Sequence, residues 1–212
     1  MLRIRLKTLQ TPPVFWRSPF SQLLGVLREA NLVLAEAELV ENFLVVWDPK
    51  QGRRLYALGF YGKPLGIPKP KTPNFEAPLI LDLMEGLYLV EKGELHVYMG
   101  PEKKPVTAEE LMQVAERLHK DFRQKYAVYK ELRDKGLVVT SGIKYGCDFM
   151  VYKQGPGLEH APYMLTVKNS DNEITATEIV KAGRLATTVR KRFIIAIPEK
   201  KTQYIMFKWF KA

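Results

Sequence analysis

The chain is short of cysteine, of histidine and of long apolar runs, and each shortage removes a class of function. One cysteine in 212 residues, Cys147, excludes a disulfide framework within the chain and a cysteine-built zinc site. The three histidines, His96, His119 and His160, stand far apart, with no HxH or HxxxH spacing to offer a metal local ligands. A magnesium-dependent nuclease would need clustered carboxylates, and Asp148 alone does not supply them. No apolar run approaches the roughly 18 residues that mark a bilayer-spanning helix. The opening stretch, MLRIRLKTLQTPPVF, lacks the uninterrupted apolar core of a signal peptide. The expectation is a cytoplasmic, reducing setting, no membrane partner, no metal and no cofactor.

What is present is positive charge on a chain able to fold. Lys and Arg number 33 against 23 Asp and Glu, a formal net charge of +10 and a pI of about 9.6. Hydrophobic residues are 46% of the chain, enough for a real core. A globular chain this basic points to a polyanion, nucleic acid ahead of a membrane surface. The plain alternative is a lysine-rich soluble surface.

The pattern along the chain predicts an α+β fold around mixed sheets. Leu2–Leu9 alternates like a strand, and Ser21–Ala30 reads as a helix capped by Ser21. Phe43–Trp47 and Arg54–Leu58 read as strands of a hairpin about the turn Asp48–Gly52, with an exposed loop over 59–73. Leu79–Lys92 is helical in pattern and stops at Gly93; Leu95–Tyr98 is a short strand. Thr107 and Glu110 form a capping box, and helical periodicity then runs to Lys135 and ends at Gly136. That run is long, so a break is expected near Lys120–Arg123. The division follows: a small N-terminal α/β domain over 1–121, its first 37 residues an extension, and a mixed-sheet domain over 122–212. In the latter, strands are expected at Leu137–Thr140, Cys147–Lys153, Tyr163–Val167, Phe193–Ile197 and Gln203–Phe210, with a helix from Thr177 towards Arg190.

Three residues of the second half carry chemistry. Tyr152 and His160 flank the Gly/Pro loop of VYKQGPGLEH, and Lys191 lies in the basic run Val189–Arg192 at a helix end. A phenol, an imidazole and an ammonium suit metal-free cleavage of an RNA phosphodiester, because RNA supplies its own 2′-hydroxyl nucleophile. Each has an ordinary reading too. Tyrosine packs on strands, a loop histidine can be a plain surface residue, and Lys191, Arg190 and Arg192 can simply complement the helix dipole.

Three stretches settle how the trio is read together: YAVYKELRDKGLVVTSGIKYGCD at 126–148, the run Phe149–His160, and RLATTVRKRFIIAI at 184–197. They resemble, in order and spacing, the catalytic subunit of the archaeal tRNA-splicing endonuclease (tRNA-intron endonuclease), whose patterns are YxVYxxLRxxG, TGxKYGxDF and RxAHSVRKxxxxAI. LYALGFYG at 55–62 and LMEGLYLVEKGEL at 83–95 resemble the family's N-terminal domain. The resemblance implies roles. Tyr152 is the base towards the 2′-hydroxyl, His160 the acid for the leaving 5′-oxygen, and Lys191 the stabiliser of the phosphorane-like transition state. The products carry 2′,3′-cyclic phosphate and 5′-hydroxyl ends. Arg184 stacks on a bulged base, with Arg190 and Arg192 as further RNA contacts. Cations beside Tyr152 (Lys191, Arg190) are expected to lower its pKa. Two departures stand out. Thr187-Thr188 replaces His-Ser. The turn Pro198-Glu199-Lys200-Lys201 is net basic where homotetrameric relatives carry an acidic docking turn. The second departure favours a heterotetramer with a separate structural subunit. The substrate implied is precursor tRNA at bulge-helix-bulge sites. The alternative is a non-catalytic RNA-binding subunit on the same fold, which would be expected to have lost part of the trio.

Overall fold

The computed structural model describes residues 33–207 except 69, 71 and 172. The strand and helix expected at Leu2–Leu9 and Ser21–Ala30 lie outside the described residues. The described chain divides into two compact units, and the division falls in the first turn of one helix, between Arg123 and Gln124.

The N-terminal unit is a six-stranded sheet in the order β3-β4-β2-β1-β5-β6. Its strands are β1 (Ala35–Val40), β2 (Phe43–Val46), β3 (Lys63–Pro64), β4 (Leu79–Asp82), β5 (Leu95–Met99) and β6 (Lys104–Val106). Only β1 and β5 pair in parallel. Helices α1 (Pro49–Gly59), α2 (Leu83–Glu91) and α3 (Ala108–Leu118) complete it. Its core is leucine-rich: Leu44, Leu55, Leu79, Leu81, Leu87, Leu95 and Leu111 are fully buried.

Three sequence expectations fail here. The loop expected to be exposed over 59–73 contains β3, which pairs with β4, and Tyr61, Gly62 and Pro64 in it are buried. Arg54–Leu58 is not a hairpin strand but the middle of α1. The carboxylate of Asp48 accepts the Lys50 amide, and Pro49 presets the first helical φ. Gly52 marks close packing rather than a turn: a Cβ there would lie 2.9 Å from the Leu79 Cβ. Leu79–Asp82 is a strand, and the helix begins only at Leu83. Asp82 caps it through the Glu85 amide, and Glu85 returns a bond to the Asp82 amide. The sequence does not predict strands β1, β3 and β6.

The C-terminal unit is a five-stranded sheet in the order β11-β10-β9-β8-β7. Its strands are β7 (Val138–Ser141), β8 (Phe149–Tyr152), β9 (Tyr163–Val167), β10 (Arg192–Ile197) and β11 (Gln203–Phe207). Its helices are α4 (Phe122–Asp134) and α5 (Ala176–Thr188). The expected break between α3 and α4 is present, at His119–Asp121, with Asp121 at φ 57°. The two helices cover opposite faces of the sheet. On one, Tyr129 of α4 meets Phe149 at 6.0 Å between ring centroids. On the other, Ala182 and Ala186 of α5 pack with Met150, Met164, Phe193 and Ile195. Helix α5 starts one residue earlier than the sequence suggests, on a capping box between Thr175 and Glu178. The α+β expectation holds for both units.

Candidate active site

Strand register builds the site. Strands β8 and β9 run antiparallel with Val151 opposite Tyr163, and β9 and β10 run parallel with Tyr163 opposite Arg192. One residue further along, Tyr152 and Lys191 flank Pro162 from either side. The Arg192 amide donates to the Pro162 carbonyl at 2.9 Å, which confirms the alignment. Two interstrand spacings of about 4.8 Å therefore separate the backbones of Tyr152 and Lys191. Tyr152 shares the alternation of Met150, and Lys191 that of Phe193, so both face the α5 side of the sheet.

The end of α5 sets Lys191. Val189 closes the helix, and Arg190 follows at φ 55°, in the left-handed region. The Arg190 amide donates to Thr187 O at 3.0 Å and the Lys191 amide to Ala186 O at 2.7 Å. This is the Schellman pattern, with arginine where glycine is usual. The Lys191 ammonium donates to Ala161 O at 2.8 Å and lies 6.0 Å from the Tyr145 ring centroid. Ala161 directly follows His160, so that bond ties Lys191 to the histidine's own segment.

His160 is exposed at the end of the loop that leaves β8. Glu159 orders this loop: its Oε1 accepts the amides of Lys153 and of Gln154, the latter at 2.6 Å. Gly155 and Gly157 take φ values of 131° and 87°, which a side chain would strain.

Tyr152 is half-buried, and burial raises its pKa above the ordinary tyrosine value. A hydrogen bond with Thr140, its diagonal cross-strand neighbour, opposes the rise, while Tyr145 and Glu159 add to it. The expectation that Lys191 and Arg190 lower this pKa is thus reversed. The ammonium of Lys191 is spent on a carbonyl, and the charges that act on the phenol, those of Tyr145 and Glu159, raise its pKa.

The basic residues do not form one patch. Arg184 and Arg190 are exposed on and just beyond α5. Arg192 is exposed too, but strand alternation puts it with Ile194, on the opposite face from Lys191. Thr187 and Thr188 bond back to the carbonyls of Gly183 and Arg184 at 2.9 and 3.0 Å, as helix-end hydroxyls do.

The stretch 140–149 is a bracket beside the site. A Cβ on Gly142 would fall 2.5 Å from Cys147 Sγ, so only glycine fits. A 3-10 turn at Ile143–Tyr145 ends on Gly146 at φ 64° and presents Tyr145 to Lys191. Asp148 bonds the Val167 amide at 2.8 Å and pairs with Lys125 at 2.9 Å, which makes it a structural carboxylate. Cys147 is buried, and burial pushes its thiol up to about 11, far from a thiolate nucleophile. Among the described residues no three His, Cys, Asp or Glu side chains gather as a metal site. No helix among them is long and apolar enough to cross a membrane. Sequence reasoning passed over Tyr145 and Glu159; the only signal for either was adjacency to the trio or to its motifs.

Comparison with known proteins agrees with this architecture. The family described as tRNA intron endonuclease, catalytic C-terminal domain, matches residues 122–206. The corresponding N-terminal domain matches residues 35–112. A tRNA-splicing endonuclease of Hyperthermus butylicus is 53% identical over 170 residues, 79% of this chain and 93% of that protein. One from Sulfurisphaera tokodaii is 43% identical over 178 residues, 82% of this chain and 98% of that protein. One from Saccharolobus islandicus is 41% identical over 182 residues, 84% of this chain and all of that protein. With both domain types matched in order and relatives aligned over most of their length, the chain belongs to the tRNA-splicing (tRNA intron) endonuclease family.

Proposed function

We propose that this chain is a metal-independent endoribonuclease that excises introns from precursor tRNA at bulge-helix-bulge sites, leaving 2′,3′-cyclic phosphate and 5′-hydroxyl ends. The observation that carries the reading is the register row that sets Tyr152 and Lys191 on one sheet face, with Lys191 bonded to the residue after His160. In this mechanism the Tyr152 oxygen takes the 2′-hydroxyl proton and the 2′-oxygen attacks the adjacent phosphorus. The P–O5′ bond breaks as His160 donates a proton to the leaving 5′-oxygen. The Lys191 ammonium exchanges the Ala161 carbonyl for a non-bridging phosphate oxygen and offsets the charge that grows there. Water then restores both protonation states.

Arg184 stacks on a splayed bulge base, and Arg190 and Arg192 contact phosphates on the two sides of the sheet end. The chemistry belongs to the C-terminal catalytic domain, 122–212, and 1–121 forms the N-terminal domain. The turn after β10 exposes Glu199, Lys200 and Lys201, and Glu199 is held by the Gln203 amide at 3.0 Å. That leaves the turn basic, which supports a heterotetramer whose second, structural subunit brings the acidic docking element. We place the enzyme in the cytoplasm.

One observation favours the second reading, a non-catalytic RNA-binding subunit: a phenol with a raised pKa is a poor base. A single assay separates the two. An intron-containing tRNA transcript is incubated with the full chain, alone and with its structural partner, in EDTA. Cleavage with cyclic phosphate ends is expected. Loss of cleavage on chelation would sink the metal-free mechanism, and undiminished cleavage by His160→Ala would sink the acid assignment.

A further inference from the structure

The acid of the proposed reaction sits on an exposed loop of seven residues, two of them glycines in the left-handed half of backbone space. Such a loop has a large conformational freedom to lose. Its backbone bonds lie within the tip: the amides of Leu158 and Glu159 donate to Gly155 O at 3.3 and 3.2 Å, and Pro156 and Glu159 form an isolated β-bridge. They fold the tip but do not join its two ends. The side chain of Glu159 does. It comes from the residue before His160 and binds the two amides that follow Tyr152. Two successive amides pointing one way make an anion-binding concavity, and here a carboxylate of the same loop fills it.

We propose that Glu159 is the positioning residue that holds His160 in register with Tyr152, by clasping the two ends of the loop between them. The inference rests on the catalytic reading of the trio. Glu159 touches no reacting atom; it acts through the backbone. Its charge is unhelpful beside a phosphodiester, and it also opposes ionisation of Tyr152. The carboxylate serves this place through its acceptor geometry. The acceptor, not the charge, is the function.

The test uses three single variants of the full chain on an intron-containing tRNA transcript: Glu159→Ala, Glu159→Gln and His160→Ala, together with the double variant Glu159→Ala/His160→Ala. Glu159→Ala is expected to lower kcat about 10- to 100-fold, with KM within about twofold, since a misplacement of about 1 Å costs up to that much. Glu159→Gln keeps a carbonyl oxygen in place and is expected to stay within about threefold of the parent. The double variant is expected to be no slower than His160→Ala. Hydrogen exchange at the Lys153 and Gln154 amides supplies a readout independent of activity: faster in Glu159→Ala, protected in Glu159→Gln. Unchanged exchange in Glu159→Ala would overturn the clasp. Equal losses in Glu159→Ala and Glu159→Gln would make it a charge effect and overturn it as well, as would a full additive loss in the double variant. If His160→Ala cleaves normally, the catalytic reading falls, and this inference with it. A silent Glu159→Ala beside an inactive His160→Ala sinks the clasp alone.

Discussion

Helix α2 in the N-terminal unit and helix α5 in the C-terminal unit end in the same hydrogen-bond pattern, and one residue separates their purposes. After α2 the amides of Gly93 and Glu94 donate to Val90 O and Leu89 O at 3.0 and 2.9 Å, with Gly93 at φ 71°. After α5 the amides of Arg190 and Lys191 repeat this on Thr187 O and Ala186 O. Each turn then delivers the chain into a strand that pairs in parallel, β5 on β1 and β10 on β9. The first turn uses glycine, which takes the left-handed conformation freely, as does Gly136 after α4 at φ 77°. The second uses Arg190, at a cost of about 1–2 kcal/mol for a side chain in that region. The turn that carries Lys191 to the candidate site gives up stability which the glycine turns keep.

The largest effect expected from this contrast is catalytic. Lys191→Ala and His160→Ala should each lower kcat by about 10²- to 10⁴-fold on an intron-containing transcript. Glu94→Gln, at the matching position after α2, should leave kcat unchanged and move only the melting temperature. A large kcat loss from Glu94→Gln would break the division between structural and catalytic turns.

Next is the pH dependence. Burial raises the Tyr152 pKa above the ordinary value of 10. A base must be deprotonated to act, so its active fraction grows as pH rises towards that raised pKa. With the acid removed in His160→Ala, the residual rate should climb about tenfold per pH unit past pH 9, since each unit below the pKa divides the phenolate about tenfold. Tyr152→Phe serves as the background. Levelling below pH 9 would show that bound RNA or Lys191 lowers the phenol after all.

The turn itself is tested by exchange of residues. Gly93→Arg should destabilise the fold by about 1–2 kcal/mol, and Arg190→Gly should stabilise it by about 1 kcal/mol in thermal unfolding. Arg190→Gly should also weaken RNA binding and reduce the salt slope of binding by about one phosphate contact. Arg190→Gly with unchanged RNA affinity would leave the strained arginine without a purpose. The smallest effect concerns the start of the same helix. Thr175→Ala removes the α5 cap and should cost about 1 kcal/mol, with kcat little changed, because Lys191 is placed by the far end.

Much of this was legible in the chain itself. The capping box at Thr107, the stop at Gly136 and the strand Tyr163–Val167 follow from local chemistry, and the structure has each of them. The misreadings share one cause. Asp48-Pro49 with Gly52 has the composition of a turn, but the glycine answers to Leu79, some 27 residues away in sequence. Leu79–Asp82 carries leucines that suit a helix, yet pairing with β2 makes it a strand. Both depend on partners distant in the chain, which propensity does not see. For the site, the trio was visible only through its resemblance to a family. The turning of Arg192 away from Lys191 follows from strand alternation once β10 is known to start at Arg192, whereas the burial of Tyr152 and the clasp of Glu159 depend on how the sheet and the loop fold in space, which spacing does not show.

The row that aligns Tyr152, Pro162 and Lys191 also sets where the chain can change length. Residues added to the segment joining β9 to α5, at the turn of Ser170 and Asp171, leave the alignment of β9 with β10 intact. One residue added between Val189 and Arg192 breaks the Ala186 bond or shifts β10 by a step. That step turns Lys191 to the other face of the sheet and moves Arg192 to the row of Phe193, on the face Lys191 has left. Among relatives of this protein, insertions should therefore collect before α5 and stop short of its end, and the length of that final turn should vary less than its composition.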